Sequence, residues 1–277
     1  MTDIEKLVDE FVCDLNCPRN CCLQSEGGWF VAGDYERAKK SEGKAMCDGS
    51  VFRLQHSLEN CEEGFRFRQD SNGVCTFFQD QKCLLQASFG REALPYDCRE
   101  YPRNITCFMS HTDKMLDPVC PHAAELIMSA DTQFWDYMVR VIEPDPEGLF
   151  AKRREIILTL QDEELSLPEA LNRICSCYKP GRCCTGDRML PAEIEPIVRH
   201  FFACMLFGNV FYYGYDRDFF ESQAKFDALT SAWMYDYLSQ IQDLNRSNLA
   251  LYFNQAYYDC NEKTTLVKRY EFAKPRL

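Results

Sequence analysis

Four cysteines stand within ten residues near the start of the chain, at Cys13, Cys17, Cys21 and Cys22. Thiolates are soft ligands that select zinc, copper(I) or iron–sulfur clusters over magnesium and calcium. The side chains of the adjacent Cys21 and Cys22 tend to diverge, so they suit different irons of a cluster better than one mononuclear ion. The spacing therefore predicts a metal or iron–sulfur centre. The less favoured alternative is that these thiols are simply buried as small hydrophobic side chains.

A second set of cysteines follows at wider spacing and consists of Cys75, Cys83, Cys98 and Cys120. The chain has neither the paired C-x2-C knuckles of a zinc ribbon nor the C-x3-C-x2-C of radical enzymes that use S-adenosylmethionine. Such irregular spacing favours a cluster over a single tetrahedral zinc. The prediction requires the fold to bring the second set beside the first.

A third set reads Cys175-Ser-Cys177, five further residues, and then Cys183-Cys184. Basic residues nearby in the sequence would help to stabilise thiolates there; they are Arg173, Lys179, Arg182 and Arg188. Two interpretations of this set stay open, a second metal site and a loop of free thiols. His122, directly after Cys120-Pro121, is likewise either a ligand or an ordinary residue at a helix start.

The composition is that of a globular protein that needs no disulfides. The chain has 277 residues, of which 46% are hydrophobic and 27% charged. Its acidic start lacks an export signal, and its most apolar run, 201–213, is shorter than the roughly 20 residues of a membrane span. We therefore expect a cytoplasmic protein with no membrane partner. A net charge of −12 without a basic patch argues against nucleic acid.

The elements that position the first two cysteine sets are short. Thr2 and Glu5 have the spacing of a capping box, so a first helix delivers the chain to Cys13. We expect a helix over 34–46 and two or three short strands within 51–78, with Asn72-Gly73 in a hairpin turn.

After Cys120-Pro121 the pattern predicts helices almost throughout. Their expected ranges are 122–129, 132–142, 147–160, a helix capped by Ser166 and Glu169, and helices within 191–207 and 219–244. Pro144 and Pro146 break the pattern and suggest a boundary. The predicted fold is mainly α with a small antiparallel β element (α+β), with a cysteine-rich metal-binding half at 1–143 and a helical half at 144–277.

The order of several motifs resembles the flagellin lysine-N-methylase family. The motifs are Cys13-x3-Cys17-x3-Cys21-Cys22 with Gly28-Trp29, Gly73-Val-Cys75-Thr-Phe-Phe, Lys82-Cys83-Leu-Leu-Gln-Ala-Ser-Phe-Gly90, Leu94-Pro-Tyr-Asp-Cys98-Arg-Glu-Tyr-Pro-Arg103 and Asp117-Pro-Val-Cys120-Pro-His-Ala-Ala. The resemblance extends over residues 8–175. The cysteine core alone is also similar to a broader family of cysteine-cluster proteins associated with zinc or iron chelation.

The resemblance implies methyl transfer from S-adenosylmethionine to lysine ε-amines on flagellin, with a cysteine-held iron–sulfur cluster. A 4Fe-4S cluster is expected, with zinc as the alternative. The implied ligands are among Cys13, Cys17, Cys21, Cys22, Cys75, Cys83, Cys98 and Cys120. No G-x-G-x-x-G motif is present, so the cosubstrate would bind to a scaffold other than a Rossmann domain.

Methyl transfer requires a neutral lysine amine, whose reference pKa is about 10.4. Tyr96, Asp97 and Tyr101 are candidate catalytic residues that would assist its deprotonation. Arg99 and Arg103 are candidate cofactor-binding residues, because a guanidinium binds a carboxylate such as that of the methionine part. The alternative for both arginines is a structural ion pair.

Two other functions stay open at this stage. One is a non-catalytic zinc- or iron-binding or redox-sensing protein that uses the same cysteine core. In the other, the thiols are structural and the C-terminal helices form an interaction module.

Overall fold

A computed structural model describes residues 3–13, 28, 30–31, 33–61, 64–80, 82–108, 111–130, 134–177, 183–184, 188–211 and 215–272. These residues form twelve α-helices and three two-stranded antiparallel sheets. The prediction of a mainly α protein with a small antiparallel β component is therefore confirmed. No helix in these ranges combines the length and the hydrophobicity that crossing a membrane requires.

The chain divides into two compact units. Unit 1 comprises Met1–Phe11 and Pro102–Leu277, and unit 2 comprises Val12–Tyr101. The sequence instead predicts a division at 143/144. The observed division differs because the buried side chains of the first helix and of residues 115–142 belong to the same hydrophobic core as the later helices.

Unit 2 is built from short elements. In chain order they are α2 (Asp34–Lys39), α3 (Leu54–Ser57), β1 (Leu58–Cys61), β2 (Gly64–Phe67), β3 (Phe78–Gln79), β4 (Lys82–Cys83), α4 (Leu84–Phe89), a 3-10 helix (Arg91–Ala93) and α5 (Tyr96–Glu100). Strand β1 pairs with β2 and strand β3 pairs with β4. The helix expected over 34–46 is shorter than predicted, since α2 ends at Lys39 and Gly43 adopts a φ of +77°.

The predicted turn at Asn72-Gly73 is present. Asp70 accepts the N–H groups of Asn72 (2.8 Å) and Val74 (3.0 Å) on its carboxylate, and Gly73 has a φ of +79°. Glycine adopts this left-handed conformation without the steric cost that a side chain imposes. The turn leads directly to Cys75.

Unit 1 contains α1 (Asp3–Glu10), β5 (Arg103–Phe108), β6 (His111–Leu116), α6 (Pro121–Ser129), α7 (Phe134–Met138), α8 (Leu149–Gln161), α9 (Leu167–Ser176), α10 (Glu195–Asn209), α11 (Arg217–Leu238) and α12 (Leu249–Phe272). The buried face of α1 carries Ile4 and Val8, as its periodicity predicts. The capping box of Ser166 and Glu169 is present at the start of α9. The β5–β6 hairpin is a feature that the sequence pattern did not predict.

Candidate metal centre

Cys75 and Cys83 lie on one compact β segment of unit 2. Cys75 forms an isolated antiparallel bridge with Gln69, and its carbonyl accepts the N–H of Phe78 at 2.8 Å. Phe78 is in turn the partner of Cys83 in the β3–β4 ladder. The hairpin turn and the short ladder therefore bring together two cysteines that are eight positions apart in the sequence.

Cys98 is carried by α5, which is fixed at its start by a buried carboxylate. The side chain of Asp34 is only 1% exposed; it accepts the N–H of Tyr96 at 2.9 Å and that of Val31 at 3.0 Å, and it pairs with Arg37. Asp34 thus joins the start of α2 to the start of α5. The role of Asp34 was not predicted, because a single aspartate at a helix start carries no signal of a partner about sixty residues away.

Gly28 lies directly against Cys98. A Cβ atom at this position would stand 2.3 Å from Cys98 Sγ and 2.7 Å from Pro95 Cγ, so only glycine fits. The Gly28 carbonyl accepts the N–H of Phe67 at 3.3 Å, and Phe30 donates to the carbonyl of Phe65 at 2.9 Å. Residues 28 and 30 are therefore hydrogen-bonded to β2, and Gly28 also packs against the Cys98 thiol.

All three of these cysteines adjoin a single hydrophobic cluster in unit 2. Cys75 is buried within it, and Cys83 and Cys98 are partly buried against it. Its other buried members are Ala38, Phe52, Leu54, Leu58, Phe67, Phe77, Leu84, Leu85, Ala93 and Leu94. An apolar surrounding of this kind limits the access of water to a centre held by the thiols.

The other predicted ligands have different positions. Cys13 is exposed, whereas Cys17, Cys21 and Cys22 lie outside the described residues. Cys120 belongs to unit 1, where it precedes α6 and donates its N–H to the carbonyl of Asp117 at 3.1 Å. Within the described ranges, no group of three or more His, Cys, Asp or Glu side chains is arranged to hold a metal ion. Cys75, Cys83 and Cys98 are therefore not arranged by themselves as three ligands of one ion, and a centre in unit 2 would need further thiols.

The histidine singled out in the sequence lies near the end of α1. The ring centroid of His122 is 5.6 Å from that of Phe11, and both residues belong to unit 1. His122 thus packs against Phe11 at the start of α6. The role of His122 as a metal ligand stays a prediction.

The candidate catalytic residues lie on both sides of Cys98 in the sequence. Tyr96 and Asp97 belong to α5, and Tyr101 directly follows it. Tyr96 is 40% exposed, and Tyr101 donates its N–H to the carbonyl of Asp97 at 2.9 Å. Burial, assisted by the negative charge of Asp34, raises the pKa of Asp97 above its usual range. A carboxylate with a raised pKa is a stronger base than an ordinary aspartate.

The two candidate cofactor-binding arginines differ in their surroundings. Arg99 donates from Nε to Glu100 at 2.8 Å, but its Nη1 is buried with no hydrogen-bond partner in the described part of the chain. Arg103 is 8% exposed, donates to the carbonyls of Val8 and Phe11, and lies over the Phe11 ring. Arg103 therefore binds the end of α1 inside unit 1 through two backbone carbonyls.

No known protein family, no curated protein and no solved structure matches the chain. A function for it therefore depends on its own motifs and on the geometry of the two units.

Proposed function

We propose that the chain transfers methyl groups from S-adenosylmethionine to lysine ε-amines of flagellin and holds an iron–sulfur cluster through the cysteines of unit 2. The observation that carries the metal part is the grouping of Cys75, Cys83 and Cys98 around one hydrophobic cluster. The methyl-transfer part and the flagellin acceptor are inferred from the ordered motifs in which these cysteines stand.

The residues of unit 2 fit such a cluster by their chemistry. Thiolates are the usual ligands of iron–sulfur clusters. Hydrogen-bond donors near the sulfurs and low solvent access set the reduction potential of such a cluster. Cys75 is buried in the apolar cluster of unit 2, and Cys83 and Cys98 are partly buried against it, which gives such low solvent access. The cluster would be held by four ligands from the unit 2 members of the predicted set, which are Cys13, Cys17, Cys21, Cys22, Cys75, Cys83 and Cys98. When bound, it supplies redox or Lewis-acid chemistry.

We assign Asp97 as the base that removes the proton from the lysine amine. A protonated amine cannot attack a methyl group, so the site must remove its proton or disfavour its charge. The raised pKa of Asp97 makes its carboxylate better able to accept that proton. Tyr96, which is partly exposed, and Tyr101 would orient the amine by hydrogen bonds.

We assign Arg99 as the residue that binds the carboxylate of S-adenosylmethionine. Its Nε is occupied by Glu100, whereas Nη1 has no partner among the described residues. A charge-assisted hydrogen bond from Nη1 to a carboxylate would satisfy this donor. Arg103 is a weaker candidate because its guanidinium already donates to two carbonyls.

The metal part of the proposal is tested by anaerobic purification, with iron and acid-labile sulfide measured per chain and a visible spectrum recorded. We expect iron and sulfide in the wild type and a marked loss of both in Cys98→Ser. Cys47→Ser is the matched control, because Cys47 is an exposed cysteine of the same unit. Protein that contains neither iron nor zinc would overturn the metal centre, and zinc without sulfide would replace the cluster by a zinc site.

The methyl-transfer part is tested separately with metal-replete protein, labelled S-adenosylmethionine and purified flagellin. We expect label on lysine side chains and its loss in Asp97→Asn, which keeps the shape of the side chain but removes the base. A full metal complement without any transfer would contradict the enzyme and favour a non-catalytic metal-binding protein.

A further inference from the structure

The side chain of one asparagine positions two cysteines of the third set. The Asn172 side-chain oxygen accepts the N–H groups of Cys183 (2.8 Å) and Cys184 (2.9 Å), and its Nδ2 donates to the carbonyl of Cys184 at 3.1 Å. Three hydrogen bonds from one amide hold both backbones against α9. They fix the position of residues 183–184 on the helix.

Cys175 lies one turn beyond Asn172 on α9. Residues three apart on a helix share a face, so the chain held by Asn172 passes over Cys175. Cys183, Cys184 and Cys177 all act on the Cys175 thiol electrostatically, with Cys183 the strongest, which agrees with the placement of residues 183–184 by Asn172. Cys175 is fully buried, whereas Cys183 is partly exposed. The two thiols thus form a pair with one accessible member and one sheltered member.

We propose that Cys175 and Cys183 form an oxidisable dithiol, which a hydroperoxide converts into an intramolecular disulfide. The Cys183 sulfur attacks the terminal oxygen of the peroxide, whose O–O bond breaks, giving a sulfenic acid and an alcohol or water. The Cys175 sulfur then bonds to the Cys183 sulfur, and the hydroxyl leaves with the Cys175 proton as water. Two thiols are oxidised and one peroxide is reduced, so the step balances.

The order of these two steps follows from the surroundings of each thiol. Burial, together with the neighbouring cysteines, raises the pKa of Cys175 well above its usual range, so this residue stays protonated and reacts second. Partial exposure lets the peroxide reach Cys183 first. Asn172 holds Cys183 against the helix that carries Cys175, and reaction within a pair held close together is fast.

Two other cysteines compete less well for Cys183. The Cys184 thiol is buried and donates to Asp236 Oδ1 at 3.3 Å. The Cys177 thiol is exposed and donates to the carbonyl of Arg173 at 3.7 Å. The Asn172 hydrogen bonds hold Cys183 against the face of α9 that carries Cys175, so Cys175 is the expected partner; its own hydrogen bond to the Ala228 carbonyl of α11 (3.4 Å) is lost in the disulfide.

The test exposes the reduced full-length protein to hydrogen peroxide, blocks the remaining thiols and maps the peptides by mass spectrometry. We expect a Cys175–Cys183 cross-linked peptide two hydrogens lighter than the reduced pair, and its complete reversal by dithiothreitol. Mapping individual peptides keeps this result independent of any oxidation in unit 2 and of the proposed function.

Three variants sharpen the test. Cys183→Ser should abolish the cross-link and is preferred to a change at Cys175, whose full burial makes folding of a variant less certain. Cys177→Ser should leave the cross-link intact, and Asn172→Ala should slow its formation. The proposal is overturned if Cys175 is still alkylated after oxidation while Cys183 carries a sulfinic acid. A predominant link from Cys183 to Cys177 or Cys184 would overturn it equally.

Discussion

The buried Nη1 donor of Arg99 is the feature that suggests a ligand at this position. A buried donor without a hydrogen bond costs about 1–3 kcal/mol, and more if it is charged. Within the part of the chain that the structure describes, Arg99 has such a donor at Nη1, although its Nε is paired with Glu100 and its guanidinium lies 5.6 Å from the Tyr96 ring centroid. An anionic acceptor would remove this cost, which is the physical reason for assigning the cosubstrate carboxylate to Arg99.

Arg99→Gln should therefore weaken the binding of S-adenosylmethionine in the methyl-transfer assay. Loss of one charge-assisted hydrogen bond of about 1.5–3 kcal/mol corresponds to roughly a 10- to 100-fold rise in KM for the cosubstrate. Arg53→Gln is the control, because Arg53 forms an exposed pair with Glu42 in the same unit and should leave KM unchanged. An unaltered KM in Arg99→Gln would contradict the assignment.

His200 gives a prediction about the dependence of stability on pH. Burial lowers its pKa to about 4, and its ring stacks on Trp135 with the centroids 5.1 Å apart. Between pH 6.5 and 4 the unfolded chain binds a proton at this histidine and the folded chain does not. The free energy of unfolding therefore falls as the pH falls, by up to about 3 kcal/mol near pH 4 from this group alone.

This loss can be measured by denaturant unfolding of unit 1 at pH 7 and pH 4.5. His200→Phe, which keeps a ring but removes the titrating group, should lose less stability over that interval than the wild type. His56→Phe changes an exposed histidine and serves as the control. Equal losses in the wild type and in His200→Phe would show that His200 is not the cause.

At the scale of the elements, an internal charge network joins the β5–β6 hairpin to the helices of unit 1. Asp113 on β6 accepts a hydrogen bond from Arg153 on α8 at 2.6 Å and also pairs with Arg140. The side chains of Asp113 and Arg153 are 5% and 2% exposed, and the Arg153 guanidinium lies 4.0 Å from the Phe207 ring centroid. The aspartate compensates a guanidinium that is otherwise surrounded by aromatic rings.

Asp113→Ala should lower the free energy of unfolding by about 3–5 kcal/mol, because it leaves the Arg153 charge buried without its carboxylate. Chemical denaturation of the purified variant measures this change. The double variant Asp113→Leu, Arg153→Met should recover much of the loss, since an apolar pair needs no compensation. Glu59→Ala, which removes a partly exposed pair with Arg66, should cost no more than about 1 kcal/mol. A similar small cost for Asp113→Ala would contradict this role.

Local elements were predictable where a signal lies within a few residues. The capping box at Ser166, the turn at Asn72-Gly73 and the apolar face of α1 all belong to this class. The β5–β6 hairpin was missed, and it is paired along its length from Arg103↔Leu116 to Phe108↔His111. Its strands are flanked by a cysteine-rich motif and by the start of α6, and no turn dipeptide marks the change of direction between them.

At the scale of the whole molecule, the two units have separate hydrophobic cores of very different size. Unit 1 is built on long helices, whereas the described part of unit 2 contains helices of four to six residues and two-stranded sheets. Isolated two-stranded sheets are marginally stable in water. Metal binding would therefore supply a substantial part of the folding free energy of unit 2.

Removal of the metal should accordingly destabilise unit 2 selectively. We expect hydrogen–deuterium exchange to increase within 30–101 after chelation, while α8–α12 of unit 1 keep their protection. The Cys98→Ser protein, purified without metal, should reproduce the same pattern, and Cys47→Ser should not. A uniform increase over both units, or none at all, would argue against a structural contribution of the metal to unit 2.

The sequence by itself determined the soft character of the predicted ligands, the mainly helical second half and the local turns and caps. These features depend on residue type and on spacings of two to four residues, which act before any tertiary contact forms. Only the tertiary structure decided that Cys75, Cys83 and Cys98 share one apolar cluster, that Gly28 and Asp34 position α5, and that Cys120 and Arg103 belong to the other unit. It also placed Cys183 and Cys184 against α9 through the side chain of Asn172. Such arrangements depend on burial and hydrogen bonds between distant segments, and no local pattern encodes them. The spacing of the opening cysteines therefore predicts the kind of metal ligand, and the fold shows which of the described thiols share an apolar surrounding.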